Sequence, residues 1–224
     1  MGILILYDSE RPVKGLEALL ETKNLNFNGL IDYEDICIPA GKVTFLTGES
    51  GSGKSTLLKM FNGIITPQKG RILYKGQDIT EMDAIALRRK VSLVSQEVYL
   101  FDGDIGDNFA QFYRYRDMAC PSNKIIKEMM SLCGLNFPVN KDTAEMSGGE
   151  RQRLYLAVFL SFQPETVLLD EPTSALDATT GRLVMKNILD FCRGNEMNAV
   201  VVSHAAELTQ DFSENIVTLK RRVG

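Results

Sequence analysis

No stretch of this chain approaches the about 20 consecutive apolar residues that a membrane span requires. Met1 to Leu6 is apolar, but Asp8, Glu10 and Arg11 interrupt it almost at once, which is too short for a secretory leader. The expectation is a protein soluble by itself, with any membrane role supplied through a partner. Paired cysteines are missing as well. Cys37, Cys120, Cys133 and Cys192 are scattered, form no C-x-x-C and have no histidine nearby. That spacing argues against a zinc site or a disulfide framework and fits reduced cytosolic thiols, most of them small core hydrophobes. Basic excess is also absent: 25 Lys and Arg stand against 29 Asp and Glu, for a net charge of -4. Sequence-independent nucleic-acid binding, which rests on a basic field, is therefore not expected. The chain has neither an internal repeat nor a low-complexity segment.

What is present is an alternation of short apolar runs with longer helical ones. The 224 residues, 44% hydrophobic, suffice for one sizeable core or for a core with a small subdomain. Glu21–Phe27, Asp35–Ile38, Val43–Thr47, Arg71–Tyr74 and Val91–Val94 read as strands. Helices are expected over 55–62 and 83–89, and a turn at Pro67-Gln68-Lys69-Gly70. From about Ile105 to Phe162 no run reads as a strand, while 125–133 and 149–162 carry helical apolar spacing. Buried strands return at 167–169, 199–203 and 216–219, with a helix at 180–192. Continuous apolar strands alternating with helices predict an α/β fold with a mainly parallel sheet. An antiparallel β part is expected near the N-terminus and a helical insertion in the middle. The expected division is a core over about 19–96 and 164–224, a helical subdomain over about 97–163, and a peripheral extension at 1–18.

The chemistry begins at Gly48-Glu49-Ser50-Gly51-Ser52-Gly53-Lys54-Ser55-Thr56. This is G-x-x-x-x-G-K-[ST] placed between a strand and a helix. Backbone N–H groups can close around phosphate oxygens there because the glycines put no Cβ in the way. Lys54 supplies a point charge to the outer phosphates, the Ser55 hydroxyl can hold Mg2+, and the helix N-terminus adds partial positive charge. The pattern predicts a nucleoside triphosphate site.

Two further segments carry functional residue types. Thr166 to Glu171 is an apolar strand ending in two acids, at the edge where open α/β sheets bind ligands. Asp170 can orient Mg2+ and Glu171 can take a proton from an attacking water; the plainer alternative is a turn with two solvated acids. Met146-Ser147-Gly148-Gly149-Glu150-Arg151-Gln152-Arg153 opens a helix. Ser147, Gly148 and Gly149 could form a second anion nest. Equally, Ser147 with Glu150 three residues on could be an ordinary capping box.

In order along the chain come the phosphate loop, the SGGE-R-Q-R segment, Leu168-Leu169-Asp170-Glu171, Ser174-Ala175-Leu176-Asp177, and a lone His204 after Val200-Val201-Val202-Ser203. From about Leu19 onward the chain resembles the ATP-binding-cassette ATPases. The resemblance implies a P-loop NTPase core and Mg-dependent hydrolysis of ATP. It implies a dimer in which a second copy of the chain sandwiches two ATPs head to tail. Ser147, Gly148, Gly149 and Glu150 of one copy would then face the γ-phosphate held by the other. Gln96 matches the glutamine that touches Mg2+ and carries motion to a partner. Asp177 matches the loop that communicates across the dimer, and His204 the histidine on the γ-phosphate, which makes Lys54, Glu171 and His204 the expected catalytic set.

Departures from the family pattern are also visible. Met146 stands for the usual Leu, Glu150 for the usual Gln, and Ala205 where Asp commonly follows the histidine. The aromatic that stacks on adenine should fall near residue 29, which is Gly29; Phe27 or Tyr33 is left to take that place. The stretch from Val94 to Ile105 resembles exporter-type cassettes. The segment from Phe137 to Glu145 lacks the acidic glycine-containing loop of fused exporters, so separate ATPase subunits of small bacterial exporters, including the family proposed to export iron, look closer. The implied role is to power export through a separate multi-spanning membrane subunit, at the inner face of the cell membrane. The alternative is a soluble ABC-type ATPase whose dimerisation is a switch in an assembly or cell-division complex. A nucleotide-binding regulator without turnover is a third reading, against which intact Glu171 and His204 count. With no coiled-coil insertion and no second cassette in the sequence, DNA-repair and ribosome-associated branches fit poorly.

Overall fold

The computed structural model describes residues 17–220. In chain order the strands are β1 (Ala18–Phe27), β2 (Ile31–Asp32), β3 (Cys37–Pro39), β4 (Val43–Gly48), β5 (Lys69–Tyr74), β6 (Gln77–Asp78), β7 (Val91–Val94), β8 (Thr166–Asp170), β9 (Asn198–Val202) and β10 (Asn215–Leu219). The helices are α1 (Lys54–Phe61), α2 (Ala84–Lys90), α3 (Ile105–Tyr115), α4 (Asn123–Leu132), α5 (Gly148–Ser161), α6 (Ala178–Gly194) and α7 (Ala206–Phe212). The described chain forms two compact units. One gathers the residues up to Leu93 with Glu165–Asp170 and the stretch from Asn198; the other takes Val94–Pro164 and Glu171–Met197. The extension expected over 1–18 lies outside the described residues as far as residue 16.

The first unit carries two sheets. β4, β9 and β8 are parallel neighbours, β10 is parallel to β4 on its other side, and the full order is β10-β4-β9-β8-β7. Every residue of β8 and β9 is buried. This is why VLL and AVVV read as unbroken apolar runs: a parallel strand covered on both faces needs no polar alternation. The second sheet is antiparallel, ordered β2-β1-β5-β6, with β3 also paired to β1. Leu20, Ile38, Leu57, Leu58, Phe61 and Ile72 fill the core of this unit. The two-residue strands β2 and β6 carry no sequence period to read. The expected turn at 67–70 is shorter than anticipated, because Lys69 and Gly70 already belong to β5.

The second unit is helical around α5, whose Leu154, Leu156, Ala157, Val158 and Leu160 are all fully buried. A helix apolar on most of its circumference is one packed on several sides; α3 and α4 both lie against it. α3 is a clear amphipathic helix within the stretch where the sequence predicts helices and no strand. Its buried Ile105, Phe109 and Tyr113 recur every fourth residue, the spacing of one helix face. Asp104 starts it with a reciprocal capping box to Asp107. Among the described residues no helix is long and apolar enough to cross a membrane.

Candidate functional site

In the first unit, β4 leads through the glycine loop into α1. Gly48 has φ +140°, and a Cβ on it would come within 2.5 Å of the Leu219 carbonyl oxygen on neighbouring β10. Gly53 has φ +89°, and a Cβ there would overlap the Tyr33 hydroxyl. Both positions therefore need glycine for backbone angle and for space. Lys54 folds back so that Nζ donates to the Gly48 and Glu49 carbonyl oxygens, 2.9 Å each, closing the loop around itself. Ser50 and Gly51 are exposed on the loop, and Ser52 is buried, its Oγ without a hydrogen-bond partner. Thr56 lies in the first turn of α1.

The same unit brings the metal-binding candidates Ser55 and Asp170 together. Ser55 Oγ donates to Asp170 Oδ1 at 3.0 Å, joining residues 115 apart in sequence. Burial raises the Asp170 carboxyl above its ordinary range, against the lowering influence of the Ser55 hydrogen bond and then of Lys59, Lys54 and His204. A buried carboxylate that the fold would sooner keep neutral, facing a hydroxyl, suits a divalent cation with oxygen ligands. His204 follows β9 by two residues and is exposed. Ser203 Oγ before it accepts from Ala205 N at 3.1 Å, and Ala205 gives α7 no side-chain cap.

Tyr33 has a task that sequence reading did not find. It is 7% exposed, and its hydroxyl donates to the Gly53 carbonyl at 3.0 Å. Burial pushes its pKa up to about 12. Its ring supports the phosphate loop from below, with Ile31 beside it, and Phe27 packs against the core. The hint was available in sequence only as an aromatic two positions after an apolar residue in a short strand.

The second unit holds Gln96, Ser147, Gly148, Gly149, Glu150, Glu171 and Asp177. Gln96 is exposed in the loop after β7, where Ser95 Oγ donates to the Glu97 carbonyl at 2.8 Å. Ser147 caps α5 in a reciprocal box: Glu150 Oε2 accepts from Ser147 N at 2.7 Å and from Ser147 Oγ at 2.9 Å. These bonds hold the Glu150 carboxyl below its usual range. The capping reading is thus present in full, and the exposed Ser147 and Gly148 at the helix start remain open to an anion as well. Gly149 faces the loop that ends at Asp177; a Cβ on it would lie 3.0 Å from the Ala175 carbonyl oxygen. Asp177 caps α6 by accepting from Thr180 N at 3.0 Å, and this bond lowers its pKa.

Glu171 stands in the left-handed backbone region, φ +52°, and is buried. Its carbonyl oxygen accepts from Ser174 N at 3.2 Å and from Gln152 Nε2 at 3.1 Å. Gln152 is a second residue the sequence reading passed over. The available signal was a polar side chain three residues after Gly149 and four before Leu156, on a face that helical spacing makes apolar.

Against known proteins, the sequence profile described as ABC transporter matches residues 32–174. The chain is 37% identical over 180 residues to "ABC transporter I family member 17" of Arabidopsis thaliana, covering 80% of this chain and 68% of that protein. It is 30% identical over 206 residues to the "Tungstate uptake system ATP-binding protein TupC" of Peptoclostridium acidaminophilum, covering 90% and 93%. Among solved structures, an ATP-binding cassette in a dimeric post-hydrolysis state bound to ADP and Pi superposes with a TM-score of 0.77 at 25% identity, over 90% of this chain and 94% of that one.

Proposed function

The chain belongs to the ABC transporter family and hydrolyses ATP with Mg2+, and from that premise we propose that two copies close on ATP and drive a separate membrane subunit. The observation that carries the reading is the Ser55–Asp170 hydrogen bond at the foot of the glycine loop, because it sets hydroxyl and carboxylate where a phosphate-bound Mg2+ needs both. Ser55 and Asp170, with Gln96, would hold the ion, which when bound neutralises charge on the phosphate oxygens. Lys54 leaves its loop carbonyls to meet the outer phosphates, together with the loop N–H groups. Glu171 takes the proton of the water that attacks the γ-phosphorus, and His204 donates to the γ-phosphate. Ser147, Gly148 and Gly149 from the second copy cap the same γ-phosphate, with Asp177 in the loop that relays between copies.

Transport, without a direction, is the role the relatives support. The resemblance of residues 94–105 favours export, while the tungstate relative is an uptake protein and a structural neighbour is a bacterial Atm1-family exporter; the comparisons support transport in either direction. The membrane partner docks around Gln96 and residues 97–110. Tyr99, 60% exposed and set edge-on to Phe101 at 5.0 Å, offers it an aromatic surface.

Two measurements test the reading. Glu171→Gln should keep ATP binding, stabilise the dimer and slow phosphate release by roughly 10²–10⁴; near-normal turnover removes Glu171 from the role. Tagged Glu171→Gln protein with ATP, used as bait in detergent-solubilised membranes of the native host, should recover a multi-spanning protein. Recovery of soluble proteins alone, with the bait abundant and dimeric, favours a dimerisation switch in an assembly or cell-division complex instead.

A further inference from the structure

Glu171 holds a backbone angle, φ +52°, that non-glycine residues seldom adopt and keep only when surroundings impose it. What imposes it lies on α5. The Gln152 side chain is 5% exposed and uses both ends of its amide. Nε2 donates to the Glu171 carbonyl at 3.1 Å and to Ser174 Oγ at 3.3 Å, and Oε1 accepts from Ala175 N at 3.3 Å. One buried amide therefore ties both ends of the 171–175 turn to a single helix. Glutamate in its place could accept from Ala175 N but would set a carboxylate oxygen against the Glu171 carbonyl. Methionine would fill the space and make none of these bonds.

We infer that Gln152 is a positioning residue for hydrolysis: its amide fixes the backbone of Glu171 and so the direction from which that carboxylate meets the attacking water. This rests on the proposed role of Glu171 as base. The Gln152 side chain makes its described hydrogen bonds to the 171–175 turn. It acts through the geometry of another residue, where a displacement of about 1 Å is enough to cost on the order of 10²-fold in rate. Since α5 also begins with Ser147, the helix that would cap a partner's nucleotide is the one that aims this chain's own base.

The experiment compares wild type with Gln152→Met, Gln152→Glu, Ser174→Ala and Glu171→Gln, each checked for folding by circular dichroism. Steady-state phosphate release and ATP affinity are measured for all, and ATP-dependent dimerisation is measured for Gln152→Met in the Glu171→Gln background. Both Gln152 variants should lower kcat by roughly 10- to 100-fold, with ATP affinity within about twofold and dimerisation unchanged. Ser174→Ala, which removes only a peripheral contact of the amide, should stay within about threefold of wild type. A folded Gln152→Met with wild-type kcat, while Glu171→Gln is inactive, overturns the inference and leaves the base intact. Loss of ATP affinity or of dimerisation in proportion to the lost activity overturns it too, because Gln152 would then act on binding. Should Glu171→Gln turn over normally, the underlying reading of the base fails whatever Gln152 does. If Gln152→Met does not fold, Gln152→Glu, which keeps one hydrogen bond, carries the test on the same terms.

Discussion

Alanine at position 53 meets two separate obstacles, and their sizes can be worked from the geometry. The backbone there has φ +89°, and placing an L-residue in left-handed territory costs about 1–2 kcal/mol. The new methyl would overlap Tyr33 Oη and stand 2.9 Å from Ile31 Cδ1, and forcing a methyl into a packed site costs about 1–3 kcal/mol. Gly53→Ala should therefore destabilise the protein by about 2–5 kcal/mol, which in a chain of this size lowers the melting temperature by roughly 4–20 °C. Tyr33→Phe alone removes the hydroxyl that donates to the Gly53 carbonyl and should cost about 1 kcal/mol. The two changes are coupled, because the oxygen that phenylalanine lacks is the atom that alanine strikes. The double variant should be more stable than the sum of the singles by about 1 kcal/mol or more, though the ring Cζ at 3.1 Å keeps the rescue partial. Urea and thermal unfolding of the four proteins without nucleotide give the cycle directly. Additivity within about 0.5 kcal/mol, the behaviour of independent sites, would refute the claim that Tyr33 braces the phosphate loop through Gly53.

Other outcomes follow from buried titratable groups. Burial raises the Asp170 carboxyl, so the folded state favours its neutral form and is penalised once pH exceeds the group's unfolded pKa. Asp170→Asn should thus melt at a higher temperature than wild type at pH 7 while losing Mg-dependent ATP turnover; a lower melting temperature would contradict the assignment. Cys133 and Cys192 are pushed from 9.0 up to about 12, as Tyr33 is from 10.0. In each the fold prefers the neutral form, so stability present below pH 9 should decline between about pH 9 and 12 as the unfolded chain ionises first. At pH 8 an aromatic disulfide reagent should titrate exposed Cys120 quickly and reach Cys133 and Cys192 only after denaturant is added. Rapid titration of every thiol in native protein would refute the burial.

The parts of the site that lie within a few residues of one another were legible in sequence. Gly48 to Thr56 is such a part, because strand, loop and helix follow without interruption and the loop chemistry is local. So were the apolar strands β8 and β9, since full burial leaves a continuous hydrophobic run. What stayed hidden depends on contacts across large sequence gaps. Ser55 reaches Asp170 across 115 positions, and sequence could name both residues while leaving the 3.0 Å bond unstated. Tyr33 looked free to stack on a base because nothing local says that its hydroxyl is bound 20 residues away at Gly53. Gln152 was hidden by its neighbours: amid Glu150, Arg151 and Arg153 it reads as one more solvated side chain, and only the turn packed on α5 makes it a buried one. β2 and β6 were missed because two residues carry no period.

The order β10-β4-β9-β8-β7 has a consequence for the chain during its synthesis. β4, which carries the phosphate loop, has β9 and β10 as its two neighbours, and these are residues 198–202 and 215–219. On the ribosome the apolar segment Val43–Gly48 therefore waits for some 150 further residues before its first sheet partner exists. Through that interval it is an unpaired strand of high β-propensity, a hazard for association between nascent chains. A stop codon between about residues 57 and 198 yields a polypeptide with every residue of the phosphate loop and no partner strand beside β4.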